Sequence, residues 1–282
     1  KSKEDVAKVF ENKLGTPSKL SPQELTQVAR EKLREKYVQA EIGITGANFI
    51  ISDIGGIAIT ENEGNARLSS AWPKTHIVIV GIEKMISSMT DLALMWPLLA
   101  TYGTGQKVTV YNSIICGPKQ PGESDGPDEM YVIFLDNNRT NILASERQRE
   151  SLYCIKCGAC LNVCPVYKNI GGHSYGTTYT GPIGSVITPH LNGLEENKHL
   201  SFASSLCGAC TEVCPVKINL HELLLVNRKE SVEQGITTFS EKMAWKIWKT
   251  ASLKRGMMNM GNGSLKTKVV NMLFKDWDKH HA

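Results

Sequence analysis

Cys154-Ile-Lys-Cys157-Gly-Ala-Cys160-Leu-Asn-Val-Cys164-Pro165 has the form C-x2-C-x2-C-x3-C-P, and a second run follows at Cys207-Gly-Ala-Cys210-Thr-Glu-Val-Cys214-Pro215. Seven of the eight cysteines of the chain lie in these two runs. Three thiolates this close in sequence can cap three irons of a cubane. The fourth iron points away and takes its ligand from a distant segment. In paired runs of this spacing, the last cysteine of each run serves the other run's cluster. A zinc site would use C-x2-C pairs separated by a knuckle, and a disulfide framework belongs to an oxidising compartment.

The exchange rule divides the thiols into two sets. Cys154, Cys157 and Cys160 with Cys214 complete one [4Fe–4S] cluster. Cys164 with Cys207 and Cys210 supply three ligands to a second. The missing fourth thiol would fall at Ser204. The second centre is therefore a [3Fe–4S] cluster, or a [4Fe–4S] cluster whose fourth position is open or held by something other than cysteine. Serine can ligate iron as an alkoxide, although its proton is hard to remove.

Forty-two residues separate Cys164 from Cys207. This insert is longer than in small two-cluster ferredoxins and suits, by analogy, the α-helical ferredoxin type found in succinate dehydrogenase iron–sulfur subunits. Ser145 is expected to cap a helix over 146–153 leading into Cys154, and Leu220–Val232 reads as a helix packing over the second run. Ile170-Gly-Gly-His-Ser-Tyr-Gly-Thr-Thr-Tyr-Thr-Gly-Pro-Ile-Gly184 is too glycine-rich for a helix. Its glycines let the backbone approach something closely. His173 and Tyr175 are candidates for proton transfer or for hydrogen bonding a cluster sulfur, against the plainer reading of a packed loop.

Upstream, residues 3–14 carry apolar residues at helical spacing. A second helix begins with Ser21 as N-cap, Pro22 at the first position and Glu24 closing a capping box. From Ala40 the period changes to short β-branched strands broken by Gly43, Gly46 and Gly55-Gly56. His76-Ile-Val-Ile-Val-Gly81 reads as a buried strand, 91–99 as a helix with Pro97 near its end, and 107–115 and 130–135 as further strands. Strands alternating with helices indicate an α/β domain. The loop Glu61-Asn-Glu-Gly-Asn65 is its best site candidate, with Glu61 and Glu63 as weak candidates for a catalytic base. The alternative is a solvated turn. Tyr102-Gly-Thr-Gly105 has only part of a dinucleotide fingerprint. His76 reads as a strand-end or core histidine and the isolated Cys116 as a small, partly buried thiol. The segment 116–127, with three prolines and three glycines, is an irregular loop.

The composition is that of an ordinary globular protein, 41% hydrophobic and 21% charged, with no apolar run approaching the ~18–20 residues of a membrane span. The net charge of +4 is concentrated in the tail, where residues 241–282 hold nine Lys or Arg against three Asp or Glu. Within it, Met243–Arg255 is amphipathic, with Trp245 and Trp248 beside Lys246 and Lys249. Such a helix suits an anionic membrane surface, a partner groove, or docking on the protein itself.

Several motifs together resemble the lactate utilization protein B family. They are Gly43–Asn48, Glu61–Asn65, His76–Lys84, the run around Cys154, Ile170–Gly176, Gly181–Gly184 and Ser204–Cys210. The resemblance covers nearly all of the chain. It implies an α/β LUD domain over 1–144, similar to the NagB/RpiA/CoA-transferase-like fold. It further implies an α-helical ferredoxin domain with two iron–sulfur clusters over 145–232 and a basic helical tail over 233–282. Because family chains begin further upstream, the LUD domain is expected to be incomplete at its N-terminus. The family implies an iron–sulfur electron-transfer subunit of a multi-subunit complex oxidising L-lactate to pyruvate, a non-autonomous oxidoreductase subunit. Its partners would be a second iron–sulfur or redox subunit and a LUD-only subunit. Ser204 agrees with the family, whose second cluster also has three recognisable cysteines. The expected location is cytoplasmic, with peripheral contact at the inner face of the membrane through 241–282, and nucleic acid is not among the expected partners. Two alternatives stand beside this reading. One is a LUD-domain enzyme with accessory clusters. The other is an electron-relay module docking a different dehydrogenase to the membrane.

Overall fold

The protein is described here by a computed structural model covering residues 2–258 together with Gly263 and Thr267. It divides into two compact units, Lys1–Asn227 and Arg228–Ala282. The first unit opens with α1 (Lys3–Leu14) and α2 (Pro22–Gln39). The expected box of Ser21 and Glu24 starts α2, and a second box, Ser2 with Asp5, starts α1.

The β-branched stretch forms β1 (Ile42–Thr45), β2 (Phe49–Ile51) and β3 (Gly56–Glu61). After the polar loop come α3 (Asn65–Ala71), β4 (Thr75–Gly81), β5 (Met85–Ile86), α4 (Leu92–Thr104), β6 (Tyr111–Ile115) and β7 (Glu129–Leu135). Two sheets result. One is parallel in the order β1-β4-β7, and the other is mixed in the order β5-β2-β3-β6. Successive strand residues point to opposite faces, so the second sheet is covered twice. Ile50, Ile57 and Ile59 pack against Val78 and Val80 of the first sheet. Phe49, Ile51 and Ala58 on the other face pack with Leu92 of α4 and with Ile155 from the first cysteine run. Burying each such branched side chain contributes about 1.5–3 kcal/mol.

Three expectations change. The apolar run of β4 is buried on one face only: His76, Val78 and Val80 point inward, whereas Ile79 is 44% exposed, as are Ile44 and Ile133 on its neighbours at 62% and 49%. Helix α4 continues through Pro97 to Thr104. A helix-interior proline costs about 3 kcal/mol, and here the packing of Met95, Trp96, Leu98 and Leu99 against the sheet offsets it. Tyr102–Gly105 is accordingly the last helical turn, closed by Gly105 at φ 72°. Cys116, at the end of β6, is exposed rather than partly buried.

After β7 the described residues contain only helices. Asp136 accepts from Thr140 N and Oγ1 and starts α5 (Arg139–Ala144). Ser145 closes α5 instead of opening a helix, and a 3-10 helix, Arg149–Tyr153, leads into Cys154. There follow α6 (Ala159–Val163), α7 (Pro165–Ile170), α8 (Gly181–Asn192), α9 (Leu194–Phe202), α10 (Ala209–Glu212) and α11 (Leu220–Glu233). The start of α8 lies inside the stretch read as too glycine-rich for a helix. Pro182 suits a first helical turn, and Gly184 lies so close to the Tyr179 carbonyl that a Cβ there would stand 2.2 Å from its oxygen. The glycines serve close packing, Gly181 against Leu161 and Gly184 against the Tyr179 backbone, and the helix runs on through them.

In the second unit, α12 (Phe239–Ser252) is opened by a capping box of Thr238 and Glu241, and α13 (Arg255–Met258) follows. Trp245 and Trp248 are exposed and meet edge to face at 5.6 Å. The rest of the basic tail, 259–282, lies outside the described residues apart from Gly263 and Thr267. Among the described residues no helix is long and apolar enough to cross a membrane.

Candidate metal centre

Each cysteine run is shaped by backbone that L-residues rarely adopt. Lys156 has φ 63° and Gly158 φ 81°, so the chain curls around Cys154 and reaches α6 at Ala159. The Lys156 N–H donates to Cys154 Sγ at 3.4 Å. Cys164 is the N-cap of α7, accepting from Tyr167 N–H at 3.5 Å, and Pro165 follows it in the first turn. Cys214 accepts from Ile218 N–H at 3.4 Å, with Lys217 at φ 59° between them. N–H groups directed at sulfur favour the thiolate, the form that binds metal.

The structure brings Cys154, Cys157, Cys160 and Cys214 onto one cavity of about 190 Å³, which Tyr179 and Ile183 also line. Cys157 lies within electrostatic reach of Cys154 and Cys214. A second, smaller cavity of about 90 Å³ is lined by Cys164, Ser204, Tyr175, His199 and Ser185 among others. Cys207 and Cys210 do not line it. Cys207 is exposed, and Cys210 is buried within reach of both Cys164 and Cys207. The two groups meet through Cys160 and Cys210, which share a core with Cys214, Ile183 and Leu224.

Burial pushes the Cys160 thiol up to about 12 and raises Cys157 and Cys210 as well. Cys207 is lowered, first by the Ala209 backbone N–H and then by the Ser205 hydroxyl. Buried thiols with raised pKa values stay protonated alone and ionise when a metal takes the proton's place. Among the described residues no three His, Cys, Asp or Glu side chains converge on a point for a single ion. Four thiols instead ring the first cavity, and one thiolate per iron is what a polynuclear cluster takes. Soft sulfur donors in this arrangement fit iron–sulfur clusters.

Lys84, which the sequence offered only as part of a longer motif, stands over the first group. It lines a third cavity together with Cys154, Ile155 and Glu83. Burial, and next the charge of Lys156, hold its ammonium down to about 8, while Cys154 and Glu83 pull the other way. No spacing rule points to it, because it approaches Cys154 only through the fold. Lys156 Nζ itself lies 4.1 Å above the Tyr179 ring.

The other candidates fall elsewhere. The Glu61 carboxylate accepts from Ala66 N and Arg67 N at 2.8 and 2.7 Å, capping α3, while Glu63 is exposed. Neither lines the cysteine cavities. His76 is fully buried, its Nε2 2.8 Å from Thr45 Oγ1. His173 is exposed, whereas Tyr175 is buried beside Cys164 and pushed up to about 12 by that burial. In the glycine-rich end of α4, Gly103 faces the Cys157 carbonyl, where a Cβ would stand 3.3 Å from its oxygen.

Residues 1–135 match the family described as LUD domain, and residues 150–218 the family described as 4Fe-4S dicluster domain. The second span holds both cysteine runs. Lactate utilization protein B of Shouchella clausii is 48% identical over 246 residues, 87% of this chain and 52% of that protein. Over most of its length the chain is similar to proteins named lactate utilization protein B. The Bacillus subtilis protein of the same name is 46% identical over 263 residues, 93% of this chain and 55% of that one. The chain thus spans about half the length of the curated relatives it matches. A solved structure of a DUF162 family protein from Deinococcus radiodurans overlaps 47% of this chain and 84% of its own, at 18% identity and a TM-score of 0.27, too loosely to bear on the fold.

Proposed function

We propose that the chain is the iron–sulfur electron-transfer part of a complex that oxidises L-lactate to pyruvate. The observation that carries this is the pair of adjoining thiol groups. Four thiols stand on one cavity, and Cys164, Cys207 and Cys210 are grouped beside it, with the two sets meeting at Cys160 and Cys210. Cys154, Cys157, Cys160 and Cys214 would hold a [4Fe–4S] cluster, and Cys164, Cys207 and Cys210 a second cluster. Such clusters supply one-electron acceptor sites. The chain's own residues hold the thiolates, direct N–H groups at them and keep the first cavity largely apolar. Oxidation of lactate releases two electrons and two protons. In this reading the two-electron step is assigned to a partner subunit, and this chain relays single electrons to a further carrier.

The proposed partners are a second redox subunit and a LUD-only subunit. The proposed location is cytoplasmic, with α12 and the basic tail making peripheral contact at the inner face of the membrane. Exposed Trp245 and Trp248 beside Lys246 and Lys249 support that contact. Glu61 serves as a helix cap and Glu63 is solvated, which gives the LUD domain no evident base in that loop.

The deciding experiment mixes the anaerobically purified protein with its partner subunits and adds L-lactate. Reduction of the clusters, followed by EPR, is expected only when the partners are present. Clusters that stay oxidised in the complete mixture would overturn the reading.

A further inference from the structure

The chain builds the same small structure twice. Cys154-Ile-Lys-Cys-Gly-Ala159 and Ser204-Ser-Leu-Cys-Gly-Ala209 align residue for residue. The third residue of each is left-handed without being glycine, Lys156 at φ 63° and Leu206 at φ 55°. That conformation is sterically unfavourable for an L-residue, and it occurs at both places. The fifth is a left-handed glycine, Gly158 at φ 81° and Gly208 at φ 82°, and each opens a short helix at the alanine that follows. In both, the fourth residue is a cysteine, Cys157 and Cys207.

The first residue of each repeat completes the correspondence. Lys156 N–H donates to Cys154 Sγ at 3.4 Å, and Leu206 N–H donates to Ser204 Oγ at 3.2 Å. The Ser204 hydroxyl therefore stands where its counterpart holds a cluster-facing thiol. The surroundings repeat in part, since Cys207 and Cys210 do not line the second cavity as Cys157 and Cys160 line the first. Cys154 shares its cavity with Cys214, the last cysteine of the other run, and Ser204 shares its cavity with Cys164, the last cysteine of the first.

We propose that Ser204 Oγ is the fourth protein ligand of the second cluster, which is then a [4Fe–4S] centre with three thiolates and one alkoxide. On binding, an iron–oxygen bond forms as the hydroxyl O–H bond breaks and its proton leaves to solvent, with no change in oxidation state. A harder alkoxide donor stabilises the oxidised cluster, so this centre has a lower potential than a four-thiolate centre in the same place. The inference rests on the proposed second cluster at Cys164, Cys207 and Cys210.

The test compares the anaerobically purified protein with its S204A, S204C, H199A and C207A variants by iron and sulfide content, by EPR of oxidised and reduced samples, and by redox titration. The native protein should lack the oxidised-state [3Fe–4S] signal. S204A should acquire it with the loss of one iron per chain, while the first cluster's spectrum persists and so reports a folded protein. S204C should keep all the iron and raise the potential of one cluster only. A stoichiometric [3Fe–4S] signal in the native protein would overturn the assignment. So would an S204A protein with unchanged iron and spectra. The [3Fe–4S] signal arising in H199A instead would assign the position to His199, which lines the same cavity. C207A identical to native in iron content would show that no second cluster exists, a failure of the underlying reading that the Ser204 variants alone do not produce.

Discussion

Glu83 Oε2 and Arg139 Nε stand 2.5 Å apart, with both side chains closed off from solvent. Glu83 lies in the turn after β4 and Arg139 at the start of α5 after β7, so the pair joins the ends of two paired strands. The guanidinium also donates to the Asp136 carbonyl at 2.9 Å and to Tyr179 Oη at 3.1 Å. Tyr179 lines the first cysteine cavity, so this arginine ties the strand half of the unit to the thiol-bearing half.

Removing the carboxylate would leave a buried cation unpaired, which costs about 3–5 kcal/mol. Glu83→Gln should therefore lower the urea midpoint of unfolding substantially with little change in slope. A change within about 0.5 kcal/mol, the range of ordinary surface substitutions, would show that the pair is not what holds these strand ends.

Lys84 places a cation within electrostatic reach of Cys154. A nearby positive charge favours the more negative, reduced state of a cluster. Lys84→Gln should lower the midpoint potential of the cluster at Cys154, and Lys84→Arg should lower it less. A redox titration followed by EPR reads this directly, and an unchanged potential in Lys84→Gln would count against any role for the ammonium.

Gly184 has no room for a methyl group, with the Tyr179 carbonyl oxygen 2.2 Å from where its Cβ would sit. Gly184→Ala must push the start of α8 away from the Tyr179 backbone. Overpacking of this kind costs about 1–3 kcal/mol. Thermal unfolding should shift down and the first cluster should become more readily lost, because Tyr179 and Ile183 line its cavity.

His76 is buried, and that burial lowers its pKa below the ordinary value of 6.5. Below about pH 6.5 the unfolded chain takes up a proton that the folded chain does not, so stability falls as pH drops through that range and levels off below the folded pKa. Above it both states are neutral and the residue contributes no pH dependence. His76→Gln should flatten the loss of stability between neutral and mildly acidic pH. Parallel pH profiles for the two proteins would show that other groups govern acid sensitivity.

Much of the architecture could be read locally. Capping at Ser21, the strand stretch after Ala40, and the helix after the second run all rest on neighbours in sequence. Readings failed where packing outweighed local preference. Pro97 sits inside α4 because the helix has a sheet to pack against. The helix α8 begins on glycines that fit against other parts of the fold, Gly181 against the Leu161 side chain and Gly184 against the Tyr179 carbonyl. The apolar run of β4 could not reveal that its sheet is covered on one face, since covering depends on what lies opposite.

The sequence by itself determined the thiol spacing of the two runs and the serine at 204 that aligns with Cys154. These are short-range facts of covalent order. Only the tertiary structure decided that Glu83, Arg139 and Tyr179 are linked and that Lys84 overlooks Cys154. It alone decided that Leu206 N–H is bonded to Ser204 Oγ as Lys156 N–H is to Cys154 Sγ. Those relationships join residues far apart in the chain, or need backbone angles that no residue type announces, and folding alone brings them within bonding distance.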